Sequence, residues 1–158
     1  MNVFLDTCAL VKLYRSENGS QSLLNFLQQY EKDLVLTIAD IAIIEFHSAF
    51  MKSVRTGMEK VETAHSSIAD FTGDLEAFNI IETDKAVHIL AISLLKSIAA
   101  TRGLRTLDAL QLATAIIANW IYPVDCFVTA DTVLFGVAKD FFRVFNPDTP
   151  SSWEGQNR

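Results

Sequence analysis

The stretch VFLDTCALVKLY, residues 3–14, decides the fold. Val3–Leu5 is a short apolar run of the kind that forms a buried strand, and it stops on Asp6. From Thr7 the pattern turns helical, with Ala9, Leu10 and Leu13 on one face. An unpaired carboxylate at the end of a buried strand is costly, so Asp6 must be solvated, paired or bound to a metal.

Working outward, the same alternation repeats. The segment Ser16–Ser20 breaks the first helix, and a second follows with Leu23, Leu24 and Leu27 as its apolar stripe. Leu34–Ile38 is a second strand, and Asp40 is placed to cap a helix from Ile41 to about Val54 that Thr56-Gly57 ends. Met58–Leu75 is amphipathic, with Val61, Ile68 and Phe71 inward, and these two helices are expected to project from one end of the domain as a hairpin. Phe78–Thr83 is a third strand. Asp84 caps a helix to about Thr101, which Gly103 ends, and Thr106 caps another from Leu107 to about Ile121. Cys126–Ala130 is a fourth strand, Thr132 to about Asp140 a short helix, and Phe142–Phe145 a fifth strand. Short apolar strands alternating with helices predict a parallel sheet covered on both faces, an α/β fold. One domain is expected over 1–147, followed by a polar tail over 148–158.

Composition bounds the function. The chain has 158 residues, half of them apolar, with a mean hydropathy of +0.25, enough for one real core. No run reaches the about 18 apolar residues of a membrane span. The most apolar stretch, Ala109–Tyr122, is interrupted by Gln111, Thr114 and Asn119 and predicts a buried helix. No basic region precedes the first apolar run, so no secretory signal is expected. Cys8 and Cys126 are too far apart for a metal-type spacing and are expected to be reduced core residues of a cytoplasmic protein. A net charge of −6, from 19 acidic and 13 basic side chains, opposes unaided nucleic-acid binding. It does not exclude a nucleic-acid enzyme that recruits cations.

In a parallel sheet, ligands bind beyond the carboxyl ends of the strands. Asp6 closes strand one there, and Asp131, in FVTAD, closes strand four. Glu45 lies early in the helix after strand two, inside the apolar run IAIIEFHSAF. Asp108 is in the first turn of its helix. Singly, Asp6 and Asp131 read as caps, and Asp108 as a partner of its helix dipole; Glu45, among Ile43, Ile44, Phe46 and Phe50, is hardest to explain as a solvated residue. Two like charges about 4 Å apart repel by about 4 kcal/mol at an effective dielectric of about 20. Four converging carboxylates must therefore protonate in part or admit a cation. Oxygen-only donors suit Mg²⁺ or Mn²⁺ rather than structural zinc, and carboxylate sites holding such ions carry out phosphoryl chemistry.

VFLDTCALVKLY, IAIIEFHSAF, LRTLDALQLATAI and FVTADTVLFGVAKDFFRVFNP together resemble the PIN-domain nucleases, most closely VapC-like toxin ribonucleases of type II toxin–antitoxin systems. The resemblance spans about residues 1–147. It implies a three-layer α/β/α sandwich around a mainly parallel sheet of four to five strands. It also implies cleavage of RNA with one or two Mg²⁺ or Mn²⁺ ions, held by Asp6, Glu45, Asp108 and Asp131 and supported by Thr7 and Thr129. The partners it implies are a cognate antitoxin and a second copy of the chain. Where a small hydroxyl residue often follows the Asp-Thr pair in this family, the chain has Cys8. Lys12, Arg15, Arg102 and Arg105 are candidate RNA phosphate contacts, with Lys52 and Arg55 at the end of the Glu45 helix. Each is otherwise an ordinary solvated cation. His47, His65 and His88 show no metal-type spacing.

Rival readings are fewer. A haloacid-dehalogenase-type phosphatase needs a second acid where Cys8 stands, a receiver domain needs an acceptor Asp at the end of strand three, and no Gly-rich phosphate loop occurs. The remaining alternative is a PIN-like module that binds RNA or protein with little or no catalysis.

Overall fold

Strand β1 (Asn2–Leu5) is buried at every position and lies in the middle of the sheet. In the structure, a computed structural model that describes residues 1–150, the strand order is β3-β2-β1-β4-β5 with every pairing parallel. The other strands are β2 (Val35–Ala39), β3 (Phe78–Ile81), β4 (Cys126–Val128) and β5 (Val144–Phe145). Successive residues of β1 point to opposite faces. Val3 and Leu5 join a core with Ala9, Leu10, Leu23, Phe46 and Phe71, while Phe4 joins another with Val87, Leu112 and Leu134. The helices α1 (Thr7–Tyr14), α2 (Ser20–Gln28), α3 (Ile41–Arg55) and α4 (Val61–Asp74) therefore cover one face. On the other lie α5 (Lys85–Leu94), its extension through a π-helical turn (Leu95–Ala99) into α6 (Ala100–Arg102), then α7 (Thr106–Ile121) and α8 (Thr132–Ala138). This is the expected three-layer α/β/α sandwich.

Several expectations are corrected by packing. The α3–α4 hairpin does not project from the domain. Tyr14, Phe46 and Phe71 form an aromatic cluster with centroids 4.2–5.4 Å apart, which draws both helices onto α1. The helix expected from Met58 starts at Val61, because the turn at Gly57 (φ +73°) consumes the residues between. Val61 is then at the exposed first position, and Ala64 takes the inward place. Leu24 faces outward, leaving Leu23, Phe26 and Leu27 to anchor α2. The N-cap of α7 is Arg105, one residue before Thr106. The end of α7 is not buried: Trp120, Ile121 and Tyr122 are exposed. Strand five is reduced to Val144–Phe145. Of the tail expected over 148–158, residues 151–158 lie outside the described residues. No helix among the described residues is long and apolar enough to cross a membrane.

Candidate active site

Four elements deliver acidic side chains to one pocket. Asp6 ends β1 and caps α1, its Oδ1 accepting from the Ala9 N–H at 2.9 Å. Asp131 follows β4 and caps α8, its Oδ1 accepting from the Val133 and Leu134 N–H groups at 2.8 Å. Glu45 sits in the second turn of α3, just past the carboxyl end of β2. Asp108 is in the first turn of α7. The chain leaves α7 and enters β4 at the amino edge, where the Asn2 side chain bonds the Pro123 carbonyl at 3.0 Å, so α7 begins toward the opposite edge. The pocket, about 480 Å³, is lined by all four carboxylates together with Thr7, Cys8 and Gln111.

Asp131 and Glu45 each commit one carboxylate oxygen to the protein and leave the other toward the pocket. Asp131 commits Oδ1 to its helix, and its Oδ2 lies 4.0 Å from Arg105 Nη1. Glu45 receives the Thr7 hydroxyl (2.6 Å) and the Gln111 amide (2.8 Å) on Oε2 alone. Asp108 has a buried Oδ2 with no hydrogen-bond partner among the described residues. Asp6, only 4 % exposed, is the most enclosed: Thr129 donates to its Oδ2 at 2.6 Å, and the Cys8 thiol donates to Oδ1 at 2.9 Å. Thr129 also accepts from the Asp131 N–H at 3.0 Å, and so ties two of the acids together.

The charges feel one another. Burial pushes the Asp6 carboxyl up to about 6, with the Asp108 charge adding to the rise and hydrogen bonds from Cys8, Thr129 and Ala9 opposing it. Asp108 is also raised, first by burial, then by Asp131 and Glu45, against the Arg105 backbone N–H and charge. Such a cluster fits a cation chemically: all the donors are hard oxygens, and one of them is a buried orphan. No three His, Cys, Asp or Glu side chains among the described residues are gathered closely enough to hold an ion together. Mutual repulsion spreads bare carboxylates, and Mg²⁺ keeps several waters while taking only one or two of them directly. The donor set thus suits a hydrated hard ion better than a tightly chelated zinc.

The basic candidates divide. Arg15 and Arg105 line the pocket, and so does Lys52. Arg15 is held in place by Glu17 at 2.6 Å and by the Phe50 ring beneath it. Lys12 is not at the pocket. It is 5 % exposed, and its ammonium is taken up by Glu17 (3.0 Å), Asp148 (2.9 Å) and the Asn18 carbonyl (2.7 Å). Arg102 is also elsewhere, paired with Asp140 and the Gly136 carbonyl. Cys8, expected in the core, instead stands at the site: its sulfur accepts from the Ala130 N–H at 3.0 Å while the thiol donates to Asp6. Burial and the Asp6 charge raise its pKa well above the ordinary thiol value, so it serves as a neutral donor in the place of a hydroxyl. Gln111 was missed because a glutamine in the apolar run LDALQLATAI reads as a tolerated interruption. Its signal was its position, three residues after Asp108 on the same helix face.

Thr129→Val, which keeps the shape and removes the hydroxyl shared by Asp6 and Asp131, should destabilise the protein by about 1–3 kcal/mol in urea denaturation at neutral pH. An unchanged midpoint would show that the hydroxyl holds neither acid.

A parallel α/β/α domain with an acidic pocket at the carboxyl edge of its sheet defines a class of α/β fold with a carboxylate-lined site. The chain belongs to the PIN-domain family, whose sequence profile matches residues 3–140. Similar solved structures include VapBC2 from Rickettsia felis bound to a DNA fragment from their promoter. It is 22 % identical, with a TM-score of 0.65 over 92 % of this chain and 98 % of that one. A toxin–antitoxin complex from Klebsiella pneumoniae is 18 % identical, with a TM-score of 0.59 over 92 % and 97 %. DNA-bound VapBC from Salmonella typhimurium is 14 % identical, with a TM-score of 0.61 over 93 % and 98 %. No curated protein matches the chain by sequence.

Proposed function

We propose that this protein is a Mg²⁺- or Mn²⁺-dependent endoribonuclease and the toxin of a toxin–antitoxin pair. The observation that carries the reading is the pocket itself: four carboxylates from four elements, with Asp6 and Asp131 fixed as helix caps and Glu45 by hydrogen bonds, within a PIN-family fold. Asp6, Asp108 and Asp131 would hold one or two ions, directly or through water, and Glu45 would ligate an ion or orient the attacking water. When bound, the ion supplies charge neutralisation at the phosphoryl oxygens and makes water acidic enough to deprotonate. Glu45 Oε1, which carries no hydrogen bond from the described residues, takes the proton of the water that attacks phosphorus. The P–O3′ bond breaks and the leaving O3′ takes a proton from solvent water, giving a 5′-phosphate and a 3′-hydroxyl. A toxin–antitoxin complex among the similar folds supports an antitoxin partner, and the protein is expected to act from a homodimer in the cytoplasm.

The test is incubation of the purified protein with single-stranded RNA and Mn²⁺. Cleavage that leaves 5′-phosphates and stops on chelation supports the reading. The absence of divalent-dependent cleavage, with RNA still bound, would favour the binding-module alternative.

The rim cations give a separate expectation. Arg105→Ala should weaken RNA binding about threefold to tenfold and reduce the slope of log affinity against log salt by about 0.7, the loss of one single-strand phosphate contact. Lys12→Met should leave RNA affinity unchanged, because its charge is spent on Glu17 and Asp148. Binding measured over a salt series checks both, and equal losses in the two variants would contradict the division of roles.

A further inference from the structure

Gln111 is a polar side chain in the core of α7, 2 % exposed, with no structural duty at one of its ends. Its Nε2 donates to Glu45 Oε2 at 2.8 Å and to Thr7 Oγ1 at 2.9 Å. The chemistry fixes which way the amide points: turned over, its carbonyl would face the acceptor-only carboxylate of Glu45. The Thr7 hydroxyl, accepting from Gln111, donates to the same Glu45 Oε2 at 2.6 Å. The three groups close a triangle that saturates one oxygen of Glu45. Meanwhile the carbonyl oxygen of Gln111 is buried without a partner among the described residues. A glutamine serving only the core would satisfy both ends or be replaced by an apolar residue, since an unmet buried acceptor is a net cost to the fold. What this arrangement secures is the direction of the Glu45 carboxylate.

We propose that Gln111 is a positioning residue of the active site: with Thr7 it pins Glu45 by Oε2, so that Oε1 is the oxygen presented to the reacting groups. The proposal rests on the nuclease reading for its kinetic consequence but not for its geometric one. A half-buried glutamate at a pocket wall with no such pin would sample several rotamers, and only a fraction of encounters would find its carboxylate in place. Fixing it from behind, through groups that touch no substrate, removes that loss.

The test is Gln111→Met on the full chain, close in volume and able to neither donate nor accept strongly, with Gln111→His as the conservative variant that restores a ring N–H toward Glu45. The expected result for Gln111→Met is a kcat about 10–100-fold lower with a KM for single-stranded RNA within about threefold of wild type. Its crystal structure should show Glu45 turned from its present direction. Gln111→His should recover part of kcat. A wild-type kcat, or a Glu45 that keeps its direction in Gln111→Met, would overturn the proposal; so would loss of KM and kcat together with no rescue by His, which marks a merely structural residue. If circular dichroism shows Gln111→Met unfolded, Gln111→Leu, which likewise has no donor for Glu45, carries the same readouts. If the wild-type protein cleaves no RNA, the nuclease reading fails, and the direction of Glu45 in the variant crystal alone decides the positioning claim.

Discussion

Asp6→Asn is expected to abolish cleavage while making the ion-free protein more stable at neutral pH. Both halves follow from burial. Asp6 is 4 % exposed, and its carboxyl titrates at about 6 instead of 3.8, chiefly because burial penalises the charge, with the Asp108 charge adding to it. A carboxyl raised in the folded state favours folding when protonated. Its contribution is complete below about pH 3.8 and is lost as pH rises through about 6. At about pH 7 the ionised group therefore opposes folding, by about 3 kcal/mol at most on conversion of that difference. Asparagine removes the charge, and its side-chain oxygen still caps α1 through the Ala9 N–H. The variant should gain about 1–2 kcal/mol at about pH 7, and its stability should vary less than that of wild type between about pH 4 and 7. Losing an anionic ligand should cost the reaction several kcal/mol, about a thousandfold in rate. Urea denaturation at both ends of that pH range and an RNA cleavage assay check the two halves. Retained cleavage contradicts the site; reduced stability at neutral pH contradicts the electrostatic account of Asp6.

Mn²⁺ is expected to offset this built-in repulsion. A ligand that binds only the folded state at about one hundred times its Kd adds about 2.7 kcal/mol. For a domain of this length that raises Tm by about 5–10 °C. The gain should shrink on acidification below about pH 6, as Asp6 takes up its proton and competes with the ion. It should be much smaller in Asp6→Asn and Asp108→Asn. Thermal scans at several Mn²⁺ concentrations decide the matter. A shift of equal size in wild type and both variants would place the ion elsewhere on the protein.

The sheet and half of the site were legible because strand and cap signals coincide at Asp6 and Asp131. In each, an apolar run ends on an acid that caps the next helix, and parallel topology then puts both at one edge. Glu45 stood out because a carboxylate follows Ile43 and precedes Phe46 and Phe50, of which both aromatics are fully buried. Asp108 is placed by a different route. Its helix follows α6 rather than a strand, so the edge rule does not place it directly; the route of α7 into β4 does. Side-chain partnerships across the chain were not legible at all. Lys12 looks like a free helix cation in sequence, yet Glu17 and Asp148 enclose it, one of them over a hundred residues away. Cys8 reads as a small core residue, and only the approach of Ala130 and Thr129 shows that it works beside Asp6. The α3–α4 hairpin was misplaced because periodicity gives the apolar face of each helix but not the surface it meets, which Tyr14 supplies.

Crystals grown or soaked with millimolar Mn²⁺ and measured at the manganese absorption edge test most directly whether these carboxylates share an ion. The account requires an anomalous peak in the pocket, within direct or one-water reach of Asp6, Asp108 and Asp131. A pocket without such a peak, in a protein saturated with Mn²⁺ elsewhere, would contradict it.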